Sequence, residues 1–254
     1  MGPAYRLKRH PIPVEAHLRH SLVLTWALPA ERLRPLVPPG LELDGYGPHG
    51  LVAVAVVRAE RLRPAGAPAL LGTSHLLAGY RLFVCHRGAD GRRRRGLHIL
   101  RSSADRAGMV AGGNLLTHYR YRRAALRCEE RDGLLEVAVR TPAGDADLDA
   151  VADLANAPGP LPAGSPFASV ADARRFAGPL PRTFDYEPET RSVVMVRGRG
   201  SHWEPRSVAV TVRACGFLAH GPLAGCTPVL ANAFHAAGVD YRWERGVRVP
   251  VGRS

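Results

Sequence analysis

Apolar residues along this chain fall in many short runs broken by Gly, Pro and Asp, with few stretches of helical spacing. Ser21–Leu28 reads as a strand. Pro29 fits the first turn of a following helix, where its missing N–H costs nothing; Leu33, Leu36 and Val37 share one face, and Pro38-Pro39-Gly40 ends it. Leu41–Tyr46 and Leu51–Glu60 form a hairpin around Gly45–Gly50, and Arg63–Gly72 is a loop. His75–Arg87 and Gly96–Ser103 make a long hairpin across Gly88–Gly91, before helical spacing over Asp105–Leu116. His118–Glu130 and Leu134–Thr141 pair across Arg131-Asp132-Gly133, since Asp-Gly supplies the left-handed positions of a tight turn.

Farther on, Ser169–Phe176 is a short helix with Ser169 as cap and Asp172 three residues on. Val193–Arg199 and Ser207–Phe217 are strands, Thr227–Ala237 has helical character, and Tyr241–Val249 is a last strand. Many strands and no β–α alternation predict one mainly β domain over residues 1–254. Residues 1–20 are expected to form an N-terminal arm, and 142–166, rich in Pro, Gly, Ala and Asp, a surface excursion. Because a free edge invites aggregation, the antiparallel strands are expected to curl into a closed or nearly closed β-barrel or cone.

The longest apolar run, Leu51–Val57, is far short of a membrane span, and the basic N-terminus lacks the apolar core of a secretory signal. Cys85, Cys128, Cys215 and Cys226 form no C-x-x-C pair, which fits reduced thiols and a cytoplasmic location. The net charge of +13 is carried almost wholly by arginine. These arginines are spread along the chain rather than gathered in a stripe, so a GC-rich genome explains them better than nucleic-acid binding does.

Several clusters could carry chemistry. Arg92–Arg95 sits at a hairpin tip with no adjoining aromatic, and reads as a solvated tip. Asp145, Asp147 and Asp149 imitate the start of a calcium loop, but Ala150 and Asn156 stand where Gly and Glu are needed, which leaves a mobile acidic loop. Cys215, His220 and Cys226 have no usual zinc spacing, and Gly198-x-Gly200 lacks the third glycine of a dinucleotide fingerprint; no metal or cofactor is expected. In His118–Arg123, alternation puts His118, Arg120 and Arg122 on one face and Tyr119, Tyr121 and Arg123 on the other. That segment is either a pocket wall or a plain pairing of an arginine surface with a tyrosine core. His202 beside Trp203 could offer an acid/base group and a flat wall, or Trp203 could simply plug a barrel end.

LTWALPAERLRPLVPPGLELD (Leu24–Asp44), GYRLFV around Arg81, GLHILRSSAD, GNLLTHYRY, SHWEPRSV and LANAFHAAGVDYRWERGVRV stand in an order that resembles a bacterial family, domain of unknown function 2071. That family is grouped with acetoacetate decarboxylase-like proteins. The resemblance implies a cone or barrel-like fold with an internal pocket. In the decarboxylases a lysine, made nucleophilic by a neighbouring lysine, forms a Schiff base with a keto acid. The matching position here holds Tyr121, Arg122 and Arg123, and the chain has one lysine, Lys8. Arginine stays cationic and is no amine nucleophile. By the same resemblance Arg81 is an anion-binding arginine, while the acidic residue that accompanies it in the family is replaced near Leu77.

The expected function is binding of an anionic or carbonyl-bearing small molecule without Schiff-base chemistry, at Arg81, His118, Tyr121, Arg122, His202 and Trp203. The alternative is an enzyme using His118, Tyr121 or His202 for proton transfer on a keto or enol substrate. A nucleic-acid-associated basic protein is a third reading. No membrane partner is expected, and the oligomeric state stays open.

Overall fold

The computed structural model describes residues 3–88, 90–201 and 203–251. In chain order the strands are β1 (Val14–Pro29), β2 (Glu42–Leu43), β3 (His49–Pro64), β4 (Thr73–Arg87), β5 (Arg93–Ala104), β6 (Tyr121–Arg123), β7 (Ala125–Arg131) and β8 (Leu134–Arg140). There follow β9 (Leu148–Asp153), β10 (Arg182–Glu187), β11 (Ser192–Gly200), β12 (Arg206–Ser207), β13 (Ala209–Cys215), β14 (Val229–Trp243) and β15 (Val247–Pro250). The α-helices are α1 (Ala30–Leu33), α2 (Ala107–Leu116), α3 (Val170–Ala177) and α4 (Gly216–Ala219).

The larger sheet runs β14–β1–β3–β4–β5–β10–β11 and returns on itself, because β11 also pairs with β14 through Gly198↔Trp243 and Gly200↔Tyr241. The ring therefore has no free edge along that path. It is antiparallel except where β5 meets β10 and β6 in parallel, a departure from the expected all-antiparallel sheet. A four-stranded antiparallel sheet, β13–β9–β8–β7, covers one outer side.

Both faces are buried in the middle of β1 (Leu22–Leu28) and β3 (Gly50–Val57), which is why those stretches are mostly apolar without alternation, while the polar residues gather toward the strand ends. Leu22, Leu24, Val54, Val56, Tyr80 and Leu82 pack outward against Val137, Leu148 and Ala150 of the second sheet. Each such fully buried Val or Leu contributes roughly 1.5–3 kcal/mol. The opposite face points into the ring and packs partly on Phe167 and on Ala173 and Ala177 of α3. Several inward positions on the wall are small, notably Ser21, Ala55 and Gly79, so the interior is not filled.

The α3 cap forms as the sequence predicts: the Asp172 backbone N–H donates to Ser169 Oγ at 3.1 Å. The β7–β8 turn uses Asp132 (φ 50°) and Gly133 (φ 75°), the two left-handed positions that a two-residue hairpin demands. Other expectations need correction. Thr227–Ala237 is not helical but lies mostly in β14, paired with β1 from Val229↔Ala27 to Trp243↔Val14. Its LANAFHAA run is buried from Ala231 to Ala236, so it shows no period-two signal, and pairing overrides the helix propensity of its alanines. The expected N-terminal arm already contains the start of β1 at Val14. The segment 142–166 contains β9, a central strand of the second sheet whose Leu148, Ala150 and Ala152 are buried in alternation. The expected strand His118–Glu130 divides at Ala124, where the chain passes from the ring (β6) to the second sheet (β7). No described helix is long and apolar enough to cross a membrane.

Candidate functional site

The ring encloses a cavity of about 610 Å³, within the range of small-molecule sites. Its long axis follows β4, whose alternate residues Thr73, His75, Leu77, Gly79 and Arg81 all line it. At about 3.3 Å per strand residue these five span on the order of 26 Å. Thr73, Pro64 and Arg106 are exposed at one end; Arg81 lies toward the other, among aromatic side chains. Helix α2 forms a second wall with Gly108, Met109, Gly112, Gly113 and Leu116, one continuous helical face.

Arg81 is the charge at the inner end. The β4–β5 register shifts between Tyr80 and Arg81, with Leu100 of β5 as the extra residue. Among the described residues the buried Nε of Arg81 has no hydrogen-bond partner, and no carboxylate lies within 4.0 Å of the guanidinium. Burial depresses its pKa, and the nearby phenols of Tyr241, Tyr119 and Tyr121 oppose that shift. The described lining contains no Asp, Glu or Lys.

The phenols are fixed by their neighbours. Tyr119 Oη shares a hydrogen bond of 2.7 Å with Thr183 Oγ1. The Asn114 side chain brackets the Tyr121 backbone, donating to its carbonyl at 2.9 Å and accepting from its N–H at 2.8 Å. The Tyr121 ring rests where a Cβ on Gly113 would be, and the Tyr241 hydroxyl rests against Gly198 in the same way. Gly200 likewise gives room to the Trp203 ring, so the Gly198-x-Gly200 pair serves aromatic packing. Trp203 stacks at a tilt on Tyr241, with ring centroids 5.4 Å apart, and its buried Nε1 has no partner among the described residues. Burial raises all three phenols, Tyr121 being pushed up to about 12 even though Arg81 pulls it down. They are neutral hydrogen-bonding groups near neutral pH.

Of the residues singled out in the sequence, Arg81, Tyr121 and Trp203 meet on this cavity. His118 is not part of its lining: Nε2 lies 3.9 Å from Glu187 Oε2, beside the Arg9–Glu187 ion pair, and burial lowers its pKa. Arg122 is 65% exposed and 3.8 Å from Asp145. His202 lies outside the described residues. Lys8 is exposed on a 3-10 turn, Pro3–Lys8, and does not line the cavity.

Two charged tracts are more tied down than expected. Arg94 pairs with Asp90 and Arg95 with Asp44, each at 2.5 Å, so the hairpin tip is only partly solvated. Asp145 accepts from Arg101 at 2.6 Å and Asp147 from the Thr141 N–H at 2.7 Å, which anchors the acidic loop. Tyr241, Trp243, His75 and Gly79, none of them a candidate from sequence, also line the cavity, together with Tyr119. Tyr241 and Trp243 do alternate on one strand face, and Tyr119 shares the face of Tyr121, but periodicity does not say which face turns inward.

Similarity to known proteins agrees with this architecture. A comparison with curated proteins finds no match. Among solved structures, acetoacetate decarboxylase from Legionella pneumophila superposes with a TM-score of 0.66 at 12% identity, over 94% of this chain and 88% of that one. An acetoacetate decarboxylase-like enzyme from Sphingomonas wittichii RW1 gives 0.62 at 14% identity, over 97% and 96%. The enduracididine biosynthesis enzyme MppR, complexed with pyruvate, gives 0.63 at 11% identity, over 95% and 91%. The fold is thus of the acetoacetate decarboxylase-like kind. Residues 15–234 match the family described as DUF2071, uncharacterized conserved protein, and the chain belongs to that family.

Proposed function

We propose that this protein binds a small organic anion, including carbonyl-bearing acids, in the ring cavity, held by Arg81 without a covalent imine. The observation that carries the reading is the Arg81 guanidinium, buried at Nε and facing no described carboxylate within 4.0 Å. An uncompensated buried charge costs several kcal/mol, and an arriving carboxylate offsets that cost with charge-assisted, paired N–H···O bonds. Tyr119, Tyr121 and Tyr241 crowd the same end and add neutral donors. With Tyr121 pushed up to about 12, the phenol is a poor proton shuttle at neutral pH, which favours binding over proton-transfer chemistry.

An imine needs a neutral amine at the reacting carbon. The lysine of the chain, Lys8, is exposed and outside the described lining. The pyruvate in the MppR structure belongs to that protein, and makes keto acids a reasonable first panel.

The test is thermal unfolding with pyruvate, 2-oxobutanoate and benzoate, each beside its neutral amide, on wild type and Arg81→Met. A ligand at about one hundred times its Kd stabilises by roughly 2.7 kcal/mol, easily read as a shift in Tm. The acids should stabilise wild type, the amides should not, and Arg81→Met should lose the effect. Equal responses to acid and amide, or a borohydride-trapped adduct on Lys8, would overturn the reading.

A further inference from the structure

We infer that the natural ligand is an amphipathic carboxylate, its head paired with Arg81 and its hydrocarbon or aryl tail lying along β4 toward Thr73. This rests on the Arg81 reading and adds the tail. Arg81 folds back over Gly79, where a Cβ would stand 3.1 Å from its Nε, so the head group is held near the Gly79 row. From Leu77 to Thr73 the cavity continues for about 13 Å of strand. Register places Val57 opposite Leu77 on this wall, and Met109 and Leu116 come from α2.

No described carboxylate, lysine or second unpaired guanidinium competes along this path. Arg63 is held by Glu15 at 2.6 Å and by the Ala67 carbonyl at 2.9 Å, and Arg106 is exposed at the rim. The imidazoles of His10 and His75 are buried, and burial lowers the pKa of both toward the neutral form. A three-carbon acid would leave most of the roughly 610 Å³ unfilled. Two strongly exposed leucines also stand just before Thr73 in the chain, Leu70 at 94% and Leu71 at 68%. An isolated exposed leucine needs no explanation, but an adjacent pair two residues before the cavity-lining Thr73 would suit the passage of an apolar tail.

Calorimetric titration of the full chain with butanoate, hexanoate, octanoate, decanoate and decanol tests this. Each buried methylene should tighten binding about fourfold until the tail reaches the rim. Gly112 supplies a block: it lines the cavity, and a Cβ there meets no heavy atom within 4 Å. Gly112→Phe should weaken decanoate more than tenfold and butanoate far less. Equal affinity across the acids, with binding still lost in Arg81→Met, would overturn the tail and leave the Arg81 reading standing. No binding by any of these alkanoates would overturn the tail alone; binding of decanol as tight as decanoate, or unchanged affinity in Arg81→Met, would overturn both.

Discussion

The Arg81 side chain lies over Gly79, two residues away on the same strand face, with its Nε 3.1 Å and Nη2 3.4 Å from where a Gly79 Cβ would be. The missing side chain at Gly79 is what lets the guanidinium swing back along the cavity axis. Gly79→Ala should therefore weaken anion binding about tenfold by displacing the guanidinium. Folding stability should hold or rise by about 0.4–1 kcal/mol, since alanine narrows the unfolded ensemble. Calorimetry and chemical denaturation on one sample check both halves.

A half-buried cation with no partner among the described residues is a cost to the fold. Arg81→Met keeps much of the volume and removes the charge, so it should stabilise the ligand-free protein by on the order of 1–3 kcal/mol. For a chain of this size that is about 2–4 °C in Tm for each kcal/mol. A variant that unfolds at lower temperature than wild type would mean the charge is compensated in the folded protein. Scanning calorimetry decides it.

Acid should destabilise the protein through buried imidazoles. His235 Nε2 and His20 Nδ1 are 3.2 Å apart, and burial, then His20, then Arg206 bring His235 down from 6.5 to about 4. A base whose folded pKa is lowered binds its proton more readily when unfolded, so stability is intact above pH 6.5 and falls as pH drops from there toward 4. The loss at the acid end is on the order of 3 kcal/mol for this group. His235→Gln should flatten the acid limb of a urea-midpoint profile between pH 6.5 and 4; an unchanged slope would contradict the assignment.

Helix α3 packs Ala173 and Ala177 into the ring interior and depends on its cap. Ser169→Ala removes the acceptor for the Asp172 N–H and should cost about 1 kcal/mol. Ser169→Asp should restore it. Urea denaturation of the pair measures the difference.

The elements that could be read from sequence are those whose signal is local. The Asp132-Gly133 turn needs two left-handed positions, and the Ser169 cap needs a side chain three residues from its donor; both sit within a few residues. What escaped depends on distant partners. The alanine-rich part of β14 looks helical until β1 is known to lie beside it, and β9 hides in a Pro/Gly-rich segment although Leu148, Ala150 and Ala152 alternate. The cavity shows the same division. Arg81 could be singled out only through the resemblance of its GYRLFV strand to the family, and Tyr121 because it sits in an aromatic-basic cluster. Tyr241 arrives from the far end of the chain through ring closure at Gly198 and Gly200, and His118 turns to Glu187 instead of the cavity. Neither fact is encoded within reach of a local pattern.

That a half-buried guanidinium, and no amine, holds the guest is the proposal at stake. Its most direct test is calorimetric titration of 2-oxobutanoate into wild type and Arg81→Met, followed by borohydride treatment and intact-mass measurement. Saturable binding to wild type, at least a hundredfold weaker in Arg81→Met and with no mass gained by either, is the expected result. Binding that survives the loss of Arg81, or a reduced adduct on the chain, would contradict the claim.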